Sequence, residues 1–310
     1  MEGDVRGDPG PAGVNRPTRD TPGGGAYLQL RRLAREQGRG TDELLVLYVL
    51  ERFLYRLAHS VHRDRLVLKG GMLLAALDQR RPTRDVDLLA VALSNDIDAV
   101  TDVIRSVLAV EVEDGVAYDL DRMTASIIRE QGMYSGVRVA VPATIASAQV
   151  MLKVDVNVGD PVTPGPVELD YPALLDDPFR LVGYPIETVL AEKLVTMIER
   201  AATTTRDRDF ADVWTLTRRH AISAQILAAA IAATAGHRGV KLQPLEQLLA
   251  PLAQLREAAW AAFVARAGLA SDVPNDLADV ISDVVAFADP LLAGDVTDGE
   301  WDQARRRWMP

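Results

Sequence analysis

Apolar residues in the first third of the chain recur first at helical spacing and then at strand spacing. The stretch AYLQLRRLAREQ predicts one helix, and TDELLVLYVLERFLYRLAHS predicts a second with Thr41 as its N-cap. A strand over 66–68, a Gly-Gly turn, a helix over 72–77, a strand over 86–93 and a helix capped by Ser94 are predicted to follow. Two helices therefore precede the first strand.

The middle of the chain changes to short alternating segments, and the remainder is helical. GVAYDL, TASIIRE, SGVRVAVPA and VMLKVDVNVGD are bounded by Gly, Pro and Asp and predict strands of one sheet. A proline-rich stretch over 160–178 ends this half, and from Pro185 onward the spacing is helical almost to the end. We predict an α+β fold, with a mixed β-sheet domain over 26–184 followed by a helical domain over 185–310.

The first 25 residues differ from the rest because Gly, Pro, Asp and Arg dominate them. They contain no apolar core, so we predict a disordered tail over 1–25 and no signal peptide. Hydrophobic residues make up 48% of the whole chain, which is enough to bury a core. No uncharged apolar run reaches the roughly 18 residues that a membrane span needs. We expect a soluble protein without a membrane partner.

Several common catalytic and binding motifs are missing from the sequence. Cysteine is absent, which excludes disulfides and thiolate metal sites and favours a cytoplasmic location. The four histidines are scattered and suggest no catalytic pairing. Gly-x-Ser-x-Gly, Walker A and Gly-x-Gly-x-x-Gly patterns do not occur either. Any chemistry therefore has to come from carboxylates, glycines and basic side chains.

Charge is distributed unevenly along the chain. The net charge of −10 argues against a protein that binds nucleic acid through overall basicity. Residues 51–84, which we call the basic island, nevertheless hold eight Arg or Lys against three acids, a net of +5. Such a local excess of positive charge is what contact with RNA phosphates requires.

Asp85 and Asp87 lie two residues apart at a predicted strand, although aspartate is rare in strands. Side chains two apart share a face, so both carboxylates point the same way and repel each other. A divalent cation, typically magnesium with substrate phosphates, relieves that repulsion. Asp-x-Asp occurs four times in this chain, and solvated turns or helix caps explain most such pairs. The apolar run LLAVAL directly after Asp87 distinguishes this pair.

Two further features accompany this pair. Gly70 and Gly71 join a strand to a helix, an arrangement that brings backbone N–H groups to a phosphate, with a tight turn that binds nothing as the alternative. Asp155, inside the apolar strand VMLKVDVNV, is a candidate third carboxylate for a two-metal site, with a solvent-facing strand residue as the alternative. Lys153 shares its face and could pair with Asp155 or reach a phosphate.

The helical half holds a second group of charges. Lys193 lies nearer the buried side of IETVLAEKLVTMIER, where its amine either extends toward solvent or points at a triphosphate. In RDRDFADVWTL, Asp209 and Asp212 are three residues apart on one helix face, which fits an ion pair with Lys193 or an arginine. Acids in a first turn also suit the helix dipole without any function.

Four sequence blocks, in order, resemble one family. LKGGMLLAAL with RPTRDVDLL is similar to the signature of nucleotidyltransferases, in which a Gly-Gly or Gly-Ser turn and a helix precede a strand bearing Asp-x-Asp. Together with ETVLAEKLVT and RDRDFADVW, these blocks resemble the AbiEii-type toxins, which include the MenT nucleotidyltransferase toxins. The match spans 68–214, and the residues after it carry no matching motif.

The resemblance implies a nucleotidyltransferase-like sheet domain whose active-site cleft is completed by the helical domain. It implies a toxin that uses Mg²⁺ and an NTP to add nucleotides to the 3′ end of tRNA, so that translation is blocked. It also implies a cognate antitoxin protein as a partner. Glycine at position 71 replaces the serine of many wider relatives, so backbone donors must suffice for the phosphate.

Residue by residue, the resemblance gives the following expectations. Nucleotide binding would fall to Lys69, Gly70, Gly71, Thr83 and Lys193. The catalytic set would be Asp85, Asp87, Lys193 and Asp212, with the metals on Asp85 and Asp87. Asp155 matches only loosely, and its role as metal ligand and base toward the acceptor hydroxyl is our own hypothesis. RNA contacts would come from Arg80, Arg81, Arg84, Arg206 and Arg208.

Two other functions remain open at this level. The acceptor could be a protein hydroxyl, as in AMP-transferring relatives of the same chemistry. The chain could also be a nucleotide-binding or interaction module that retains the fold without turnover. The intact set of Asp85, Asp87 and Lys193 argues against the second alternative.

Overall fold

The computed structural model describes residues 17–129 and 135–310, and two helices open it. α1 (Pro22–Glu36) follows Thr21, whose hydroxyl accepts a hydrogen bond from the Gly24 N–H. Residues 22–25, predicted as part of the tail, are therefore helical, because a capping threonine and Pro22 start the helix early. α2 (Thr41–Ala58) begins after Gly40, so the prediction of Thr41 as N-cap is wrong.

Eight strands form one mixed sheet in the first half of the chain. They are β1 (Leu66–Lys69), β2 (Val86–Ala90), β3 (Val116–Tyr118), β4 (Thr124–Arg129), β5 (Ser135–Ile145), β6 (Ala148–Val158), β7 (Val167–Tyr171) and β8 (Phe179–Gly183). The order is β3-β5-β6-β2-β1-β8-β7, with β4 also beside β5. The pairs β2–β6 and β1–β8 are parallel, and the other pairs are antiparallel.

Two connections in this half are helical. The Gly-Gly turn opens α3 (Gly70–Leu73), which continues as one 3₁₀ turn over Leu74–Leu77. α4 (Ile97–Leu108) is capped by Asp96, whose carboxylate accepts from the N–H groups of Asp98 and Ala99. The prediction of Ser94 as the cap is wrong because aspartate two residues later accepts both free N–H groups.

The two faces of the sheet differ. Leu152, Val154 and Val156 of β6 are fully buried on the face that packs against α2, whereas Met151 and Lys153 are exposed. This period of two follows from the alternation of side chains along a strand. Asp155 lies on the same face as Lys153, so the acidic residues lie on the face opposite α2.

The second half is helical. It contains α5 (Ile186–Arg200), α6 (Asp207–Arg219), α7 (Ala224–Arg238), α8 (Leu245–Leu249), α9 (Leu252–Leu255), α10 (Glu257–Ala267) and α11 (Leu277–Leu292). A small antiparallel sheet joins β9 (Ile222–Ser223), β10 (Glu300–Asp302) and β11 (Arg307–Met309). Within the ranges that the structure describes, no helix combines the length and apolarity needed to cross a membrane.

Candidate active site

Four charged residues lie side by side across the middle of the large sheet. Strand register pairs Lys69 with Asp87, Asp87 with Asp155, and Asp155 with Arg138, across β1, β2, β6 and β5. Asp85 lies just before the first residue of β2, and its charge acts on Arg138, as the charge of Asp87 does. Asp85 and Asp87 therefore both lie near Arg138, and the fold brings Asp155 beside Asp87.

Gly70 and Gly71 pack directly against this row. Gly70 adopts a left-handed conformation with φ of 67°, and a Cβ placed on it would lie 1.9 Å from Oδ2 of Asp87. A Cβ on Gly71 would lie 2.5 Å from Oγ1 of Thr83. Both positions therefore exclude any side chain. The turn brings its backbone to within contact of Asp87, as a phosphate-binding turn beside a metal ligand would require.

The oxygen donors of Asp85 and Asp87 suit a magnesium ion that water and substrate phosphates also bind. Both carboxylates are half-buried, so solvent and a ligand can reach them. Across residues 17–129 and 135–310, no three Asp, Glu or His side chains approach closely enough to hold a metal among themselves. Magnesium is commonly bound by one or two carboxylates while water and substrate phosphates complete its octahedron. Asp85 and Asp87 meet that requirement together with a triphosphate.

Asp155 is engaged by an arginine that the sequence analysis did not select. Arg138 donates from Nε to Oδ1 at 2.7 Å and from Nη2 to Oδ2 at 2.6 Å, so the pair is bidentate. Asp155 is buried, whereas 38% of the Arg138 side chain is exposed. The hydrogen bonds to Asp155 raise the pKa of Arg138, and the charges of Asp85 and Asp87 raise it further. Arg138 therefore faces all three carboxylates.

The Lys69 amine lies against the helical half. Its Nζ contacts Asp160 at 2.7 Å and Glu192 of α5 at 3.1 Å, and it lies 5.3 Å from the Tyr184 ring centroid. Burial alone would lower the pKa of Lys69, but Glu192, Tyr184 and Asp160 hold it well above its ordinary value. In this arrangement Lys69 joins β1 to α5.

Lys193 lies at the centre of a second network. Its Nζ donates to Asp209 at 3.0 Å and to Asp212 at 2.7 Å, which confirms the predicted pairing between α5 and α6. Asp212 is fully buried and also accepts from Gln79 at 3.0 Å and Arg81 at 3.1 Å. Burial would lower the pKa of Lys193, but the two aspartates raise it above its ordinary value. Lys193 is therefore a charged lysine that does not extend to solvent.

The basic island is largely neutralised by ion pairs. Six of its eight basic residues contact an acid, and they are Arg52, Arg56, Arg63, Lys69, Arg80 and Arg81. Glu51 is the acid that pairs with Arg80, and it lies in the same segment. The segment is therefore not a positive surface as a whole. Arg84, next to Asp85, is exposed and remains a candidate for RNA contact.

The two candidate RNA-binding residues of α6 behave differently. Arg206 donates from Nε to Asp209 at 2.5 Å, which places it in the Lys193 network. Arg208 is exposed on the first turn of the helix. Within the predicted RNA-binding set, Arg80, Arg81 and Arg206 pair with acidic residues. Arg84, Arg206 and Arg208 are exposed.

A groove in the described part of the chain lies away from these residues. It has a volume of about 1350 Å³ beside α1, α2 and β8, and its walls carry both signs of charge, including Arg52, Asp176 and Arg180. None of the candidate site residues lines it. Because the glycine turn and the carboxylates lie together elsewhere, the chemistry rather than the groove volume identifies the candidate site.

The part of the chain that holds these residues matches a known protein family. Residues 52–282 match the family model described as the nucleotidyl transferase AbiEii toxin of a type IV toxin–antitoxin system. That range includes every candidate site residue. Among curated proteins, none matches the chain.

Two solved structures resemble the chain at 19% and 14% sequence identity. The MenT4 nucleotidyltransferase toxin of Mycobacterium tuberculosis H37Rv is 19% identical, with a TM-score of 0.48 over 70% of this chain and 74% of that one. JHP933 of Helicobacter pylori is 14% identical, with a TM-score of 0.43 over 81% of this chain and 91% of that one.

Proposed function

Because the chain belongs to the AbiEii family of nucleotidyltransferase toxins, we propose that it transfers nucleotides from an NTP to the 3′ end of tRNA and thereby blocks translation. The observation that carries the proposal is the position of Gly70, whose backbone touches the carboxylate of Asp87 on the face shared with Asp85. A phosphate at the glycine turn would lie next to a metal on those two carboxylates.

Phosphoryl transfer requires mostly that the substrates are positioned and that their charge is neutralised. Different residues of the site would supply these two requirements. Asp85 and Asp87 would hold Mg²⁺, which would neutralise charge on the transferred phosphate. Gly70 and Gly71 would present backbone N–H groups to the triphosphate, and the buried Thr83 would shape the wall behind Gly71. Arg84 and Arg208, both exposed, would contact the acceptor RNA.

Lys193 and Asp212 would act from the edge of the site. Asp212 contacts Lys193, Gln79 and Arg81, so it fixes the segment that leads to Asp85. Lys193 would contribute positive charge toward the phosphates while it remains paired. A cognate antitoxin is the partner that membership of a toxin–antitoxin family supports.

The acceptor is tested by following label from each of the four NTPs. Purified protein is incubated with Mg²⁺, one labelled NTP and total tRNA, and a second sample contains tRNA whose terminal ribose has been oxidised with periodate. We expect one NTP to label intact tRNA, because the proposed acceptor is the terminal hydroxyl. We expect the oxidised tRNA to stay unlabelled, because periodate destroys that hydroxyl.

Three other outcomes would contradict this function in different ways. Label on protein would mean that the acceptor is a protein hydroxyl. Equal labelling of intact and oxidised tRNA would place the acceptor elsewhere on the RNA. No label with any NTP would indicate a binding module without turnover.

A further inference from the structure

Arg138 and Asp155 form a bidentate ion pair within the candidate site. A site in which three carboxylates bind metal ions does not require such a pair. Both residues lie opposite each other on neighbouring strands, and both oxygens of Asp155 accept from the guanidinium. Such a fork is among the stronger contacts that a carboxylate makes in proteins. Asp155 would have to weaken it in order to bind a metal ion.

The charges around Asp155 also argue against a metal ion on that residue. Asp85, Asp87 and Asp155 carry three negative charges, and Arg138 compensates one of them. Arg138 therefore supplies positive charge to this group of carboxylates. Among the described residues no three metal-binding side chains form a group, and both oxygens of Asp155 accept from Arg138.

The exposed part of Arg138 is available to a ligand. Asp155 occupies Nε and Nη2, and the side chain remains 38% exposed on the face where Asp85 and Asp87 lie. Arginine is well suited to phosphate because its planar fork presents several donors in fixed directions. An arginine anchored on one side by a buried carboxylate is preorganised to contact phosphate on the other.

We propose that Arg138, positioned by Asp155, contacts the triphosphate in place of a second metal ion, so that Asp85 and Asp87 bind a single metal and Asp155 binds none. The inference rests on the proposed function, since it assigns roles within the same site. It replaces the hypothesis that Asp155 is a metal ligand and base. Asp155 is then a positioning residue, and Arg138 touches the substrate.

The first test counts metal ions with Mn²⁺ as the probe, followed by the electron paramagnetic resonance signal of free Mn²⁺. The key variant is Arg138→Ala/Asp155→Ala, because removal of both partners preserves the net charge of the site. We expect one Mn²⁺ per chain in the wild type. We expect the double variant to retain that ion with an affinity within about threefold, because the long-range electrostatics are unchanged.

The second test measures binding of a fluorescent NTP analogue in the presence of Mn²⁺. We expect Arg138→Ala to weaken binding by about tenfold or more, because a charge-assisted contact to phosphate is lost. Arg138→Lys should recover part of the affinity, since it keeps the charge without the fork. Arg180→Ala, which removes an exposed arginine paired with Glu168 on the same sheet, should leave binding unchanged.

The outcomes separate this inference from the proposed function. Two Mn²⁺ ions in the wild type, or loss of Mn²⁺ in Arg138→Ala/Asp155→Ala, would overturn the inference alone, provided that circular dichroism shows a folded variant. Unchanged NTP affinity in Arg138→Ala would overturn it as well. Full Mn²⁺ binding by Asp85→Ala/Asp87→Ala would instead remove the metal site on which the proposed function depends.

Discussion

At the scale of single residues, Gly70 sets the tightest constraint on the site. Its φ of 67° and the 1.9 Å distance from a hypothetical Cβ to Asp87 mean that only glycine fits. A side chain at position 70 would displace the carboxylate of Asp87, which is a proposed metal ligand. Displacements of about 1 Å in such positions commonly cost on the order of 100-fold in rate.

We therefore predict that Gly70→Ala lowers kcat/KM for nucleotide transfer on the order of 100-fold while the fold is retained. The matched control is Gly236→Ala in α7, where a Cβ would meet nothing within 4 Å. Steady-state transfer assays and circular dichroism on both variants check the prediction. Wild-type activity in Gly70→Ala would show that the contact with Asp87 has no catalytic importance.

Residue patterns revealed part of the site in advance. The period of two placed Asp85 and Asp87 on one face, and helix spacing predicted that Asp209 and Asp212 lie near Lys193. Arg138 was missed because its partner lies on a neighbouring strand, which one sequence does not specify. The available signal was that Arg138 is the only charged residue in the strand SGVRVAVPA.

At the scale of elements, the contact between α5 and α6 depends on buried charge. Asp209 accepts from Lys193 of α5 and from Arg206 of its own helix. Burial alone would raise the pKa of Asp209, but Lys193 and Arg206 lower it from 3.8 to about 2. Because the unfolded chain binds this proton more readily, the stabilisation is fully present above about pH 4 and is lost as pH falls toward 2.

We predict that Asp209→Asn lowers the free energy of unfolding at pH 7 by roughly 2–3 kcal/mol. The difference from wild type should shrink as the pH approaches 2, since the wild-type carboxylate is then protonated. Urea unfolding at several pH values provides the measurement. Asp302→Asn is the control, because Asp302 pairs with Arg305 at an equivalent spacing of three but on the exposed surface. A pH-independent difference for Asp209→Asn would contradict the prediction.

Elements with clear periodicity were predicted well, and those defined by long-range pairing were not. β5 and β6 were recognised, although β5 ends two residues later than predicted and β6 begins and ends two residues earlier than predicted. β7 and β8 were not predicted because β7 lies within the proline-rich stretch and both strands depend on pairing, of β7 with β8 and of β8 with β1. The run over 244–268 has helical spacing but contains α8, α9 and α10. Pro251, which lacks an N–H, interrupts the run between α8 and α9.

At the scale of the whole molecule, polar contacts join the sheet half to the helical half. Lys69 contacts Glu192, and Gln79 and Arg81 contact Asp212. The Thr188 hydroxyl donates to the Thr163 carbonyl at 2.8 Å. One continuous hydrophobic cluster also runs through both halves. These contacts couple the segment before Asp85 to the helices that carry Lys193 and Asp212.

We predict that both halves unfold in a single transition. All four tryptophans lie in the helical half, so their fluorescence reports on that half, whereas far-ultraviolet circular dichroism reports on both. The two signals should change at the same urea concentration in the wild type, because shared contacts make unfolding cooperative. The Arg81→Ala variant should separate the two transitions, because it removes the contact with Asp212 of the helical half. An earlier fluorescence transition in the wild type would show that the halves are independent.

The central claim, that Asp85 and Asp87 carry out metal-dependent nucleotide transfer to tRNA, is tested most directly by one rate measurement. Single-turnover transfer of label from the accepted NTP to tRNA is compared in wild type, Asp85→Ala/Asp87→Ala and Asp96→Ala/Asp98→Ala. The last variant removes another Asp-x-Asp pair, which lies at the start of α4. We predict loss of transfer in the first variant and near wild-type transfer in the second. Equal rates in all three proteins would contradict the assignment of the site.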